Sequence, residues 1–144
     1  MDPRLRARMV YHGAIVVMLG LLAGFPHAFV LTGQLAGEER AWRMAHREGL
    51  LNGMLVLLTA AVSGSLVLSA RQQTWLVWSL VAAAYGNVIA STLGATFGVR
   101  GLGLAGPPMN AVMNLLFWVA IVGVLVGVGV LIAGARAALR AERW

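Results

Sequence analysis

The sequence predicts an all-α integral membrane protein built as a four-helix bundle, and three observations carry that expectation. Of 144 residues, 60% are hydrophobic and only 11% charged, with a mean hydropathy of +0.82, far from the composition of ordinary soluble domains. Apolar runs cover about Gly13 to Leu31, Gly49 to Ala70, Thr74 to Phe97 and Ala111 to Ala135. Each is near or above the ~20 residues a helix needs to cross hydrocarbon. The arginines collect at the ends of these runs, where the cost of a charge in lipid is avoided. Four spans make residues 1–144 a single transmembrane domain, with no linker, low-complexity segment or soluble domain.

The first helix is expected over about 9–35, closing in the turn GQLAGEER at 33–40. DPRLRARMVYHG before an apolar run is reminiscent of a signal peptide. The run outlasts the usual apolar region of such peptides, however, and has no small-residue cleavage site in a polar flank, so it reads as a retained span. The second helix is expected over about 42–70, stopped by the polar turn Arg71, Gln72 and Gln73, and the third over about 73–98. GVRGLGLAGPPMN at 98–110, glycine-rich with two prolines, is the one long loop. The fourth helix is expected over about 108–138. Glycines recur four apart at Gly20 and Gly24, Gly49 and Gly53, Gly94 and Gly98, and Gly123 and Gly127. That spacing allows close helix approach, either within the bundle or against a second subunit.

All eleven basic residues are arginine, and the net charge is +6. With four spans, Arg4, Arg6, Arg8, Arg71, Arg136, Arg140 and Arg143 fall on one side. Arg40, Arg43, Arg47 and Arg100 fall on the other, diluted by Glu38, Glu39 and Glu48. Seven against four predicts cytoplasmic termini, and orientation rather than nucleic-acid binding explains the charge. No cysteine is present, which excludes disulfides, thiolate metal ligation and covalent c-type haem attachment. No acid is expected within a span, which argues against a proton pump or cation-coupled transporter. No Ser, His and acid set and no phosphate-binding loop is found. Chemistry here would need a metal or cofactor as electrophile.

Three histidines are candidates. His12 lies near the cytoplasmic start of the first helix. His27, about ten residues before the turn near Gly37, and His46, about nine after it, fall at similar depth toward the far side. A lone histidine in such a place is more often interfacial or hydrogen-bonded than a ligand. An imidazole can nonetheless ligate iron while an apolar, cysteine-free pocket accepts a porphyrin, with Arg43 or Arg47 placed to pair with propionates at the membrane edge. Asn52 follows His46 by six residues, about 9 Å along the helix and roughly 120° around it. One helix cannot present both to opposite faces of one porphyrin, so a distal wall must come from another helix or another copy. The alternative for Asn52 is an interhelical hydrogen bond. On the third helix Asn87 and Ser91 share a face, with Tyr85 and Thr92 nearby. Asn110 and Asn114, close to the loop, read as capping and interfacial residues.

Four segments, MVYHG at 9–13, AWRMAHREGLLNGM at 41–54, YGNV at 85–88 and VRGLGLAGP at 99–107, carry a resemblance to the styrene oxide isomerase family of small bacterial membrane enzymes. The combination of Trp42, His46 and LNGM at Leu51 to Met54 is its most specific element. The resemblance implies a homotrimer in the bacterial cytoplasmic (inner) membrane, holding haem b near subunit interfaces. It implies His46 as axial iron ligand and Asn52 and Asn87 in the substrate pocket; Trp42 and Arg43, beside His46 in the sequence, are the further cofactor-binding candidates. It implies that ferric haem acts as a Lewis acid on an apolar aryl epoxide such as styrene oxide. Ring opening to a benzylic cation and a 1,2-hydride shift then give the aldehyde. A metal polarising oxygen needs no proton bookkeeping, and a dry pocket keeps water from trapping the cation as a diol. One position departs from the family pattern. The tyrosine four residues after the second asparagine is Ser91 here, shorter by several ångströms, with Tyr85 the candidate to compensate. Two other readings stand beside this one. One is a b-type haem protein for electron transfer or haem sensing, with His27 and His46 as bis-histidine ligands. The other is a purely structural membrane subunit.

Overall fold

The computed structural model describes residues 1–141; Arg143, counted above toward orientation, lies outside them. Among the described residues there are four long helices and no strand: α1 (Pro3–Leu31), α2 (Glu39–Val62), α3 (Ala70–Phe97) and α4 (Pro108–Ala141). All four are long and apolar enough to cross a membrane.

The helix ends follow local chemistry. The α1 helix begins six residues earlier than expected because the Asp2 carboxylate accepts from the Arg4 and Leu5 amides at 2.7 and 3.4 Å, with proline at the first position. Arg4, Arg6 and Arg8 therefore sit on a helical overhang. The α1 helix stops at Leu31, before Gly33 at φ 72. The second boundary also differs. Expected to run to residue 70, α2 ends at Val62 in a single 3-10 turn, Ser63–Ser65, where the Ser63 hydroxyl donates to the Ala60 carbonyl at 2.8 Å and Leu66 is extended. The polar triplet Arg71, Gln72 and Gln73 is accordingly the first turn of α3 and not the connection. Ser69 caps that turn and Gln72 returns the bond, a complete capping box.

The α1 helix packs along α2 and α3 along α4, while α3 touches α1 and α2 as well. The α3 helix is the central one: 56% of its most apolar stretch is buried, against 17% for α1 and for α4. Met9, Val16, Val56, Leu76, Leu80 and Val88 form the core between them. The spaced glycines act within the chain. A Cβ on Gly20 would lie 2.6 Å from the Leu50 amide nitrogen, and one on Gly49 would overlap the Gly20 Cα. On the other side a Cβ on Gly123 would lie 2.6 Å from the Ser79 carbonyl oxygen, and Gly127 meets Leu80. Close approach of α1 to α2 and of α3 to α4 depends on these positions, as expected for membrane helices that associate by packing. Gly98 instead ends α3 in the left-handed region, φ 64.

The Asn110 and Asn114 side chains do more than the capping expected of them. Asn110 accepts from the Gly101 amide at 2.7 Å and donates to the Gly103 and Ala105 carbonyls, and Asn114 donates to the Gly101 carbonyl. Together they pin the α3–α4 loop over the end of the bundle.

Candidate functional site

The α2 helix presents two different faces to its neighbours. Trp42, His46, Gly49 and Gly53 form a stripe at helical spacing toward α1, and Ala41, Met44, Glu48 and Asn52 form another toward α3.

On the first stripe His46 lies against the backbone of α1. Its Nδ1 is 2.8 Å from the Gly20 carbonyl oxygen, and since a carbonyl can only accept, Nδ1 carries the proton. That fixes the tautomer and leaves Nε2 with a lone pair and no protein partner among the described residues. A metal-ligating histidine has this arrangement, its second nitrogen bonded to a carbonyl that orients the ring. Gly24 makes the room: a Cβ there would stand 3.0 Å from Nδ1 and 3.2 Å from Cε1.

The neighbours of His46 are placed less as expected. Trp42 rests on the α1–α2 turn, its indole nitrogen 3.3 Å from where a Gly37 Cβ would stand. The Arg43 guanidinium, half exposed, is 3.4 Å from the Glu39 carboxylate one turn earlier. His27 does reach His46: the rings are 6.3 Å apart between centroids and inclined by 22°, in keeping with the equal depths read from the turn. However, His27 Nε2 is a buried atom without a hydrogen bond among the described residues, and it lies 3.7 Å from Glu39, beyond hydrogen-bond range.

On the second stripe the two asparagines meet. Asn87 donates from Nδ2 to Asn52 Oδ1 at 3.2 Å, joining α3 to α2. The interhelical bond considered for Asn52 is thus present. Asn52 donates in turn to the Glu48 backbone carbonyl at 2.8 Å and to its carboxylate at 2.7 Å. Glu48 was counted above as a charge outside the spans. It stands instead nine residues inside α2, one turn before Asn52, bonded to a candidate pocket residue. The spacing of four between Glu48 and Asn52 was the available signal.

Ser91 is one turn beyond Asn87, 2% exposed, and its hydroxyl has no partner among the described residues. Thr59, Thr92 and Thr96 each bond back to their own helix carbonyl; Ser91 does not. It borders a cavity of about 270 Å3 between α2, α3 and the pinned loop, with Met44, Gly94 and Met113 in the wall and Glu38, Arg40 and Arg100 among the lining residues. Within the chain Tyr85 does not turn toward Ser91. Two residues before Asn87, it points to another face of α3, with its hydroxyl 3.2 Å from His12 Nδ1. His12 and Tyr85 belong to an aromatic cluster with Tyr11 and Trp78, and His12 is about 22 Å from His27 along α1 at 1.5 Å per residue. A larger apolar groove between α3 and α4, about 670 Å3 and lined by Trp75, Trp78 and Trp118, contains none of the candidate residues.

Among curated proteins no relative matches the chain. The family model described as styrene oxide isomerase matches residues 5–136, and so spans every residue of the two stripes and the Ser91 cavity. The chain belongs to the styrene oxide isomerase family.

Proposed function

We propose that this multi-pass membrane protein is a haem b-dependent epoxide isomerase, converting an apolar aryl epoxide such as styrene oxide to the aldehyde. The observation that carries the reading is His46. Its proton is held by the Gly20 carbonyl, its ring has clearance over Gly24, and Nε2 is left for a metal. When bound, ferric haem would supply a Lewis acid for the epoxide oxygen.

The chain's own residues supply the rest. Asn87 and Asn52 place neutral amides, not acids, beside the reacting oxygen. Met44, Ala95 and Met113 give the Ser91 cavity an apolar part of its wall, which disfavours water that would trap a developing cation. Ser91 leaves open the space a tyrosine would fill, so the pocket suits an aryl group larger than an unsubstituted phenyl ring. Arg43 or Arg47 sits at the edge where propionates would emerge.

His46 and the asparagine pair lie on different sides of α2, so a single chain does not direct both at one porphyrin. We therefore assign the distal wall to a second copy in a homotrimer. With the termini in the cytoplasm, as the arginine distribution favours, the site lies toward the far side of a bacterial cytoplasmic membrane. The test is direct: purified, haem-loaded protein incubated with a series of aryl epoxides should yield aldehyde without diol. Quantitative recovery of epoxide, or diol as the main product, contradicts the assignment.

One observation favours a second reading, a b-type haem held between His27 and His46: the 6.3 Å separation of their rings. Against it, His27 Nε2 is buried beside Glu39. A six-coordinate spectrum unaffected by azide or epoxide would favour that reading.

A further inference from the structure

The groove of about 670 Å3 between α3 and α4 offers nothing polar to an occupant along most of its length. Its two hydroxyls are spent inside their own helix: Thr74 donates to the Ala70 carbonyl at 3.1 Å and Ser79 to the Leu76 carbonyl at 3.4 Å. Trp75, Trp78 and Trp118 stand exposed in its walls. Helix register sets the length. A Cβ on Gly86 would meet Leu116 and Ala120, the residues on either side of Trp118. The groove therefore runs from Trp75 to the level of Gly86, roughly 16 Å at 1.5 Å per residue. That is about half of the ~30 Å hydrocarbon core, the depth of one leaflet.

The end of the groove at Trp75 is one-sided in charge. Arg71, exposed, precedes Trp75 and Trp78 by four and seven residues and so shares their face of α3. The Arg8 guanidinium, from α1, lies 5.9 Å from the Trp78 ring centroid, a cation–π distance. The Asp2 amide donates to Gln73 at 2.7 Å and the Val67 amide to the Gly134 carbonyl at 3.3 Å. These bonds bring Arg4, Arg6, Arg8, Arg71, Arg136 and Arg140 to one end of the bundle. Among the described residues the acid at that end is Asp2, whose carboxylate caps α1, and neither Arg8 nor Arg71 has an ion-pair partner.

We propose that this groove is a binding site for one anionic phospholipid, its acyl chain between α3 and α4 and its phosphate held by Arg8 and Arg71. Arginine pairs well with phosphate, and basic clusters between spans at a membrane surface select anionic headgroups. Tryptophan suits the headgroup boundary, where Trp75 would stand. A second copy of the chain fits the groove less well. Membrane helices dock on small residues, and the small residues here, Gly123 and Gly127, are already closed against Ser79 and Leu80 of α3. The site is independent of the isomerase reading.

The experiment is native mass spectrometry of the full protein, released from detergent micelles that contain equal amounts of phosphatidylglycerol and phosphatidylcholine. We expect one retained lipid per chain, with phosphatidylglycerol preferred by about fivefold for each arginine engaged. Arg8→Gln combined with Arg71→Gln should remove the preference and leave the retained lipid unselected. Val119→Phe combined with Val122→Phe, two exposed groove positions, should fill the groove and lose the retained lipid of either kind. The arginine variants alter exposed side chains alone, so they decide the headgroup contact even if the phenylalanine pair does not fold. Equal retention of the two lipids by the wild type, or an unchanged preference without Arg8 and Arg71, would overturn the proposal. So would a folded phenylalanine variant that keeps its phosphatidylglycerol, because the lipid would then be held by surface charge outside the groove. A wild-type assembly free of lipid that falls apart in the phenylalanine variant would also overturn it, assigning the groove to a second copy of the chain.

Discussion

Replacing Gly24 by alanine separates cofactor binding from folding, because the first should weaken while the second holds, the helix gain offsetting the bond lost in the haem-free fold. The added methyl would stand 3.0 Å from His46 Nδ1 and 3.2 Å from Cε1, a few tenths of an ångström inside ordinary contact. The imidazole must shift away from α1 by that amount. Its bond to the Gly20 carbonyl, 2.8 Å in the native chain, lengthens or breaks. A net hydrogen bond contributes about 0.5–1.5 kcal/mol, which corresponds to haem affinity about 2- to 13-fold weaker. Loss of an orienting partner on a metal ligand typically costs about 10–100-fold, so the upper part of that range is the expectation. The helix itself should gain, since alanine is favoured over glycine in a helix interior by about 1 kcal/mol. The assay is a haem titration followed by Soret absorbance, beside thermal unfolding of the haem-free protein. Weaker haem binding with an unchanged or raised unfolding temperature is expected. Unaltered haem affinity would refute the argument that Gly24 clears a place for a metal-binding imidazole.

Three further outcomes are expected. Asn52→Ala should keep its haem and lose most epoxide turnover, and an unchanged rate would remove Asn52 from the mechanism. Ser91→Tyr, which builds a ring into the cavity of about 270 Å3, should raise kcat/KM for styrene oxide relative to larger aryl epoxides; no change in that ratio would mean the aryl group binds elsewhere. Gly49→Ala places a methyl onto the Gly20 backbone and should lower stability by about 1–3 kcal/mol, as overpacking does, measured by unfolding in detergent. A neutral result would show that α1 and α2 can separate freely.

The four spans could be read from the sequence because length and apolar composition alone decide whether a helix can cross a bilayer. Boundaries set by a few polar atoms were harder. Asp2 and Pro3 begin α1 early, and Ser63 and Gly64 turn the chain while the apolar run continues, so hydropathy placed the end of α2 at the wrong polar cluster. His46, Asn52, Asn87 and Ser91 were nominated by residue type and by resemblance. The equal depth of His27 and His46 followed from counting about the turn. What one-dimensional spacing does not contain is the rotation of each helix against its neighbour. The Gly20 carbonyl opposite His46 and the pairing of Tyr85 with His12, 73 residues apart, both depend on that rotation. It also decides that Tyr85 faces away from Asn87. Glu48 is a different case: its relation to Asn52 is a simple helical turn, obscured because a charge near the end of an apolar run reads first as a topology signal.

The central claim is that the His46 Nε2 binds the iron of a haem, and optical spectroscopy of the purified protein tests it most directly. Wild-type and His46→Ala chains should be expressed with ample haem supply and extracted in the same detergent. The account predicts a Soret band at about one haem per chain in the wild type, consistent with one His46 in each, and its loss in His46→Ala with folding retained. A colourless wild-type protein, or an alanine variant that keeps its haem and its spectrum, would contradict it.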